Sequence, residues 1–425
     1  MEEKKIFNQV FYKRNSCRIC AGKNLELALK MGDSPISEKY LTKEKISENI
    51  PKVPLDLYFC KDCTHVQLLH IVKPEYLWAD FTFKTSRDEK LINHFNDVVS
   101  RLLKVKNIDK NDLILDVGSN DGTLLKCFSE KGFKNILGID PASHIVKQAN
   151  KNGIPTIEGY MNSSSAQKIL SKYGSAKIIT ANNVFAHADD LQDMLKSIKL
   201  MMENDSIFVF EVSYLLDVVQ KMLIGTIFHE HLSYHSVKTL KYFFDFHEME
   251  LIHIERGPEQ GGSIIGYAQK KEGSIKNNFK SVEVLLNLEK EFGLDNIEKI
   301  TEMNEKLISI KENLNKIIAD IKKEKKTISG FGAARAGTTF LSYFEIGKYI
   351  DYLFDDNKDK HYKFSPGDKI EVLPTSEIEK TKPNYLIIFA WIHADKIIKN
   401  NQKFLNNGGS FIRFYPKIEL IKKIN

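Results

Sequence analysis

Short apolar runs alternate with amphipathic stretches through the middle of the chain. Four runs are nearly all apolar and are predicted to be buried strands: 113–117, 136–139, 177–180 and 207–210. Stretches with helical periodicity lie around them, beginning with roughly 88–105 and then 123–131. Strand–helix alternation of this kind predicts an α/β domain whose strands run parallel.

The C-terminal third repeats this pattern after a polar, helical stretch. Residues 276–325 place apolar side chains at helical spacing, which predicts a long helix or a helix pair. A strand at Thr327–Gly332 then enters a glycine-rich turn, and further strands are expected at 349–354, 385–389 and 409–413. We therefore expect a second Rossmann-like domain.

The N-terminal stretch has few apolar residues and four of the five cysteines. They form two Cys-x-x-Cys pairs, Cys17 with Cys20 and Cys60 with Cys63. Paired spacing of this kind predicts a closed Cys₄ zinc site, which would stabilise a small domain and leave no open position for catalysis. His65 lies beside Cys63, and we expect it on the surface.

The length of 425 residues fits two to three domains, which we place at 1–85, 86–275 and 276–425. The longest apolar run, Tyr385–Ile392, has eight residues, far short of the roughly 20 that cross a bilayer. The charged N-terminus has no apolar signal-peptide core, so we expect a cytoplasmic protein without a membrane span.

The net charge of +6 comes mainly from lysine, because the chain has only seven arginines, and these are scattered. Nucleic-acid readers favour arginine for its planar fork, so we expect no nucleic-acid partner. A mild cationic excess suits a phosphorylated small-molecule substrate.

The turn after the first central strand has the composition of a nucleotide-binding loop. Five of its residues are candidate ligands for a cofactor: Asp116, Gly118, Ser119, Asn120 and Gly122. Asp140 closes the next strand and could accept both hydroxyls of a ribose, while Asn182 follows the third strand. The turn lacks the third glycine of the dinucleotide fingerprint, which favours S-adenosylmethionine, a cofactor without a pyrophosphate.

Two histidine segments carry candidate acid–base chemistry. His229-Glu230-His231 does not have the H-E-x-x-H spacing of a helical zinc protease. His187 follows Asn182 at a strand end that faces the ligand crevice. An imidazole near neutral pKa can remove a proton, and a carboxylate can fix its tautomer. In the third domain, the Gly330–Gly337 turn could bind phosphate through Arg335.

Together these motifs resemble the deoxysugar C-methyltransferase family, which methylates keto-sugar nucleotides. The matching segments run in order along nearly the whole chain: 17–20, 60–63, 116–122, 183–187, 229–231, 261–263, 330–334, 365–367 and 390–391. The resemblance implies a zinc-binding domain, a central class I methyltransferase domain and a C-terminal Rossmann-like domain, with the active site between them.

The implied chemistry is carbon methylation next to a ketone. A base removes the proton, and the resulting enolate attacks the methyl group of S-adenosylmethionine. The resemblance implies His231 as base, Glu230 as the group that orients it, and His187 as hydrogen-bond partner of the enolate oxygen. It also implies one structural zinc per chain and a role in surface polysaccharide or glycoconjugate synthesis.

The sequence departs from the family pattern at several positions. Phe228 stands where tyrosine usually precedes His-Glu-His, and phenylalanine also replaces tyrosine at Phe81; Gln260, Ile264 and Arg335 are further departures. These changes leave two alternatives open: methyl transfer to O or N of a sugar nucleotide, and a degenerate relative that only binds the sugar nucleotide. The sugar, the nucleotide, the carbon and the oligomeric state are not specified by the sequence.

Overall fold

A computed structural model describes residues 10–78, 84–105, 108–275 and 280–423. The N-terminal part is built from short strands and one helical turn, α1 (Pro74–Leu77). The strands are β1 (Phe11–Lys13), β2 (Leu25–Leu29), β3 (Asp33–Pro35), β4 (Lys52–Pro54), β5 (Leu57–Cys60), β6 (Val66–Leu68) and β7 (His70–Val72). All of their pairings are antiparallel: β1 with β7, β3 with β4, and β5 with both β2 and β6.

The central part is one seven-stranded sheet covered by helices. Its helices are α2 (Glu89–Val105), α3 (Thr123–Glu130), α4 (Ser143–Lys151), α5 (Ser163–Tyr173), α6 (Leu191–Met201), α7 (Leu215–Gln220) and α8 (Val237–Phe246). Its strands are β8 (Ile114–Val117), β9 (Ile136–Asp140), β10 (Thr156–Glu158), β11 (Ala176–Asn182), β12 (Met202–Ser213), β14 (Met249–Gly257) and β15 (Ser263–Lys270).

The strand order is β10-β9-β8-β11-β12-β15-β14. The four apolar runs lie in β8, β9, β11 and β12, which confirms the strands predicted there. The prediction of an all-parallel sheet is wrong at one edge, where β15 is antiparallel to β12 and to β14. A five-residue turn joins β14 to β15, and a connection that short can only form an antiparallel hairpin.

The C-terminal part begins with the predicted helix pair, α9 (Lys280–Phe292) and α10 (Glu298–Lys323). The other helices are α11 (Arg335–Phe344), α12 (Ile378–Thr381), α13 (Ala394–Asn400) and α14 (Gln402–Asn406). The strands are β16 (Ile328–Phe331), β17 (Leu353–Asp355), β18 (Val372–Pro374), β19 (Tyr385–Ile388), β20 (Ser410–Arg413) and β21 (Glu419–Ile421).

This second sheet has the order β18-β17-β16-β19-β20-β21, parallel except for β21. The strand predicted over 349–354 begins only at Leu353. The Tyr349 and Ile350 N–H groups instead bond to carbonyls three residues back, which makes a turn there.

The N-terminal part is joined to the other two rather than separate from them. The strand β13 (Ser233–Tyr234), which follows the His-Glu-His segment, pairs with β6. Helix α10 packs on β2, and α11 packs on β3. Within the described ranges, no helix has the length and apolarity needed to cross a bilayer.

Candidate functional site

The four paired cysteines converge in the N-terminal part. Their Sγ atoms all lie within 4.8 Å of one another. The Cys17–Cys63 and Cys20–Cys60 Sγ separations are 3.5 and 3.6 Å. Four thiolates around a tetrahedral zinc at about 2.3 Å would lie about 3.8 Å apart, so the donor set fits this metal. The four thiols would fill all the coordination positions of the zinc, which is typical of a closed structural site.

His65 is not the surface residue that we expected. It is fully buried, and its Nε2 lies 3.2 Å from the Ser233 Oγ. Its side chain bonds to β13 and is not among the groups that converge at the cysteine cluster, while its backbone carbonyl accepts the Cys60 N–H.

The predicted cofactor turn is built around one carboxylate. The Gly118 N–H donates to the Ile139 carbonyl at 2.7 Å, which places the turn beside the end of β9. The two oxygens of Asp140 accept the N–H groups of Asn120 and Ala142, each at 2.9 Å. Each oxygen has a second lone pair, so Asp140 holds the turn and can still accept a ribose hydroxyl.

Gly118 allows a second loop to lie on this turn. Its φ is +69°, and a Cβ there would lie 2.2 Å from the Val184 Cγ2. A larger residue would push away the loop that carries His187, because the His187 N–H bonds to the Val184 carbonyl. The glycine therefore brings the catalytic candidate next to the cofactor candidates.

Buried polar atoms without partners mark where a ligand fits. The Asn182 amide and the Ser119 hydroxyl are shielded from solvent and form no hydrogen bond within the described part of the chain. Burying such groups costs free energy unless a ligand satisfies them. Burial raises the pKa of Asp116 to about 7, and the negative charge of Asp140 adds to this increase. The hydrogen bond that the Thr180 Oγ1 donates to Asp116 lowers the pKa and partly offsets it. These residues fit the polar adenosine and amino-acid groups of S-adenosylmethionine.

A segment before α2 covers this turn. The Thr85 N–H and Oγ1 donate to the Asn120 Oδ1 at 3.1 and 3.3 Å, and the Ser86 N–H donates to the Asp121 carboxylate at 3.1 Å. The Asn120 side chain is therefore a turn-fastening group here. Phe81 lies outside the described residues, so the predicted effect of its missing hydroxyl stays a prediction.

The two catalytic candidates from separate segments lie together. The imidazoles of His187 and His231 stack with ring centroids 5.2 Å apart, and Trp78 stacks on the other side of His187 at 5.9 Å. Burial lowers the pKa of His231 to about 3, and it lowers that of His187 well below the usual range. Both rings are therefore neutral at physiological pH.

The Thr226 carbonyl fixes the tautomer of His231. The His231 Nδ1 lies 2.8 Å from that oxygen, so Nδ1 carries the proton and Nε2 keeps its lone pair. We predicted Glu230 for this orienting role, whereas the partner of the His231 Nδ1 in the structure is the Thr226 carbonyl. The described residues show no ion pair between Glu230 and His231, because the neighbouring side chains in the sequence point to different partners.

Glu230 instead faces Arg335 from the C-terminal domain, with the Arg335 Nε 3.5 Å from the Glu230 Oε1. The Arg335 guanidinium also lies 5.5 Å from the centre of the Phe228 ring, which in turn packs 4.0 Å from the His231 ring. Burial raises the pKa of Glu230, while the Arg335 charge opposes this. A cation from the third domain thus lies beside the histidine pair.

His229 has a different task. Its Nε2 lies 3.0 Å from the carbonyl of Val53, and burial lowers its pKa to about 4. It fastens the segment to the N-terminal domain. Sequence reasoning also missed Trp78 and Thr226, since a stacking ring and a backbone acceptor leave no motif.

The glycine-rich turn of the C-terminal domain repeats the arrangement at Asp140. The Gly332 N–H donates to the Phe354 carbonyl at 2.8 Å. The two oxygens of Asp355 accept the N–H groups of Ala333 and Asn357 at 2.6 and 2.7 Å. Lys360 lies beside this turn and donates to the Ala333 carbonyl at 2.7 Å and to the Glu38 carboxylate at 3.0 Å.

Three family models match the chain in order. They are described as "Putative zinc binding domain" (residues 17–78), "Methyltransferase domain" (87–253) and "C-methyltransferase C-terminal domain" (258–416). Among curated proteins, C-methyltransferase NovU of Streptomyces niveus is 26% identical over 408 residues, which covers 96% of this chain and 97% of the relative.

Solved structures resemble part of the chain at low similarity. Magnesium protoporphyrin IX methyltransferase from Synechocystis PCC 6803 has a TM-score of 0.34 and 16% identity, covering 45% of this chain and 90% of its own. An S-adenosylmethionine-dependent methyltransferase from Clostridium acetobutylicum has a TM-score of 0.35 and 12% identity, covering 42% and 92%. Scores at this level carry no functional argument.

Proposed function

We propose that this chain is a member of the deoxysugar C-methyltransferase family and that it methylates a carbon next to the ketone of a nucleotide-linked keto-deoxysugar. It is an S-adenosylmethionine-dependent methyltransferase, and S-adenosylmethionine and zinc are its cofactors. The observation that carries the proposal is the neutral His187–His231 pair, which lies beside the cofactor turn on one side and Arg335 on the other.

S-adenosylmethionine, when bound, supplies a methyl group made electrophilic by the positive sulfonium. We propose that its adenosine and amino-acid groups contact Asp116, Gly118, Ser119, Asn120, Gly122, Asp140 and Asn182. Carbon methylation needs a base because a carbon acid has no lone pair until its proton is removed. An attacking hydroxyl, in contrast, already has one.

The His231 Nε2 has the lone pair that this step requires, since Nδ1–H is held by the Thr226 carbonyl. It accepts the proton from the carbon beside the ketone, and the electrons of that C–H bond enter an enolate. With S-adenosylmethionine bound, the enolate carbon would form a bond to the methyl group as the sulfur–methyl bond breaks, and S-adenosylhomocysteine would leave. Burial lowers the pKa of His231 to about 3, which makes it a weaker base than a free histidine, so the step depends on stabilisation of the enolate as it forms.

The enolate oxygen needs stabilisation, which the Phe228 side chain cannot supply. The His187 Nε2 is buried without a hydrogen-bond partner among the described residues, and in the tautomer that carries its proton at Nε2 it would donate to that oxygen. The Arg335 guanidinium adds a positive charge near the same rings. Charge placed in advance where an oxyanion develops lowers the barrier most in a water-poor site.

The second turn supports a nucleotide-linked substrate. Its carboxylate holds the backbone as Asp140 does, and Lys360 and Arg335 lie next to it. Cations beside a turn at a helix N-terminus suit a diphosphate.

We also keep the domain bounds 1–85, 86–275 and 276–425 as a proposal. Each unit contains most of one sheet or set of sheets, with β13 as the exception.

The test is mass spectrometry of products formed from dTDP-, GDP- and CDP-linked keto-sugars with S-adenosylmethionine. We expect a mass gain of one methylene with one of them, and loss of deuterium placed on the carbon beside the ketone. Methylation that retains this deuterium would support O- or N-methyl transfer, the alternative that Phe228 favours. Nucleotide binding without S-adenosylmethionine binding would indicate a degenerate relative.

A further inference from the structure

We propose that Arg18, inside the first cysteine pair, is a positioning residue that holds the two catalytic histidine segments in register. The inference rests on the proposed function, because it assumes that His187 and His231 act together. The N-terminal domain would then contribute to methyl transfer through Arg18, although its closed zinc site takes no part in the chemistry.

The Arg18 side chain is completely buried and has four partners. Its Nη1 donates to the Leu68 carbonyl at 2.6 Å and to the Leu232 carbonyl and the Gln67 Oε1 at 3.1 Å each. Its Nη2 lies 3.2 Å from the Asp189 carboxylate. Burying the Arg18 charge costs desolvation free energy, which its contacts must offset. A shift of any of these partners would lose part of that compensation, so the guanidinium favours one position for each of them.

Two of the partners adjoin the histidines. Leu232 directly follows His231, and Asp189 lies two residues after His187. The Ala186 carbonyl accepts the N–H groups of Leu232 and Ser233 at 3.0 and 3.1 Å. The two segments are therefore bound to each other and, through their next residues, to one guanidinium.

The cysteine pair fixes the other end of Arg18. The residue lies between Cys17 and Cys20, and the Gln192 amide donates to the carbonyls of Arg18 and Ile19 at 3.1 and 2.6 Å. The Arg18 N–H donates to the Gln67 Oε1 at 3.1 Å. Cys17 and Cys20 would hold the knuckle backbone in place when zinc is bound, and the Arg18 guanidinium would then be positioned together with the histidine segments that it contacts.

Lysine cannot reproduce this arrangement, since an ammonium is a compact charge without a planar fork. We expect Arg18→Lys in the zinc-loaded full chain to lower kcat by about tenfold to 100-fold while KM changes less than about threefold. Asp189→Asn weakens the contacts of Asp189 with Arg18, Arg14 and Tyr12 but keeps the Arg18 hydrogen bonds to Leu68 and Leu232, so it should give a smaller loss. Arg14→Lys is the matched control, because Arg14 contacts Asp189 but not Leu232.

The experiment measures zinc content, S-adenosylmethionine affinity, kcat and KM, and records ¹⁵N-histidine spectra of the three variants. The spectra need no substrate, so they test the inference even if the wild type methylates none of the sugars, a result that would sink only the proposed function. The inference is supported if Arg18→Lys loses kcat and shows displaced His187 and His231 resonances while it still binds zinc and S-adenosylmethionine normally. Arg14→Lys should match the wild type in all of these measurements. Unchanged resonances and kcat in Arg18→Lys would overturn the inference, as would an equal loss in Arg14→Lys. If Arg18→Lys does not fold, Asp189→Asn decides, and wild-type resonances and kcat there would overturn it.

Discussion

The two glycine-rich turns use the same backbone device and differ in what surrounds it. In both, one carboxylate at the end of the second strand accepts two backbone N–H groups, at Asp140 in the first and Asp355 in the second. The first turn carries further acidic side chains, Asp116 and Asp121, and its cover is a neutral pair of N–H donors from 85–86. The second turn has Arg335 and Lys360 beside it.

From this difference we infer that the backbone of each turn determines where its ligand lies. The charged side chains beside the turn would determine which ligand binds there. An acidic turn suits a cofactor with a sulfonium and an ammonium group, while a turn with two cations suits a diphosphate. The histidine pair lies between the cofactor turn and Arg335 of the C-terminal half, so we propose that both ligands reach it. Substitutions in one half, or in the histidine pair between the halves, therefore test whether the other half responds.

The largest effect is expected from removing the group between the halves. In His231→Ala, kcat should fall by about 10²- to 10⁴-fold, because a positioned general base contributes that much. Both turns are untouched, so calorimetry should give wild-type affinities for S-adenosylmethionine and for the sugar nucleotide. Turnover close to the wild type would remove His231 as base and leave only the fold.

The second largest effect concerns the cation that the first half lacks. Arg335→Met should lower kcat by about 100-fold, since losing one donor at a developing oxyanion costs about 10² to 10³. Arg335→Lys should recover part of the loss because it keeps the charge. Lys360→Met, on the other side of the turn, is the matched variant and should raise KM for the sugar nucleotide with little change in kcat. An unaltered kcat in Arg335→Met would show that the charge serves only Glu230.

A smaller, reciprocal effect tests the shared device directly. Asp140→Asn and Asp355→Asn each replace a carboxylate that accepts two N–H groups with an amide that has one acceptor oxygen. We expect about tenfold weaker S-adenosylmethionine binding in the first and about tenfold weaker sugar-nucleotide binding in the second. Calorimetry with each ligand on both variants gives the answer. If both variants lose the same ligand, the two turns do not bind different partners.

The sequence predicted the two Rossmann-like sheets well because their strands are buried on both faces and read as unbroken apolar runs. It failed where local pattern competes with tertiary contacts. The hairpin β14–β15 has the same composition as a parallel strand pair, and only its short connection distinguishes it. Residues 349–352 look like a strand but turn sharply to bring β17 beside β16.

For the candidate site, residue type was predictable and partnership was not. The cysteine spacing and the His-Glu-His segment can be read from the sequence, since metal and proton chemistry require those side chains. The actual partners of His231 and Glu230 are a backbone carbonyl and an arginine more than a hundred residues away. No spacing rule contains either contact, because the first depends on how residues 226–231 fold locally and the second on how the C-terminal domain packs on the central one.

The smallest effect on activity is expected at His235, which belongs to neither turn. Both its ring nitrogens are buried without a hydrogen-bond partner in the described residues, and it stacks on Phe185 at 5.7 Å. Burial lowers its pKa from 6.5 to about 3, so its contribution to stability is complete above pH 6.5 and is lost as the pH falls below that value. At pH 5 the loss is about 2 kcal/mol. His235→Phe cannot titrate, so urea unfolding should show a smaller drop between pH 7 and pH 5 than in the wild type, with kcat unchanged. The zinc thiolates titrate alike in both proteins and do not contribute to the difference between them. An equal drop in the free energy of unfolding in the variant would mean that His235 is already protonated, or already hydrogen-bonded, in the folded chain.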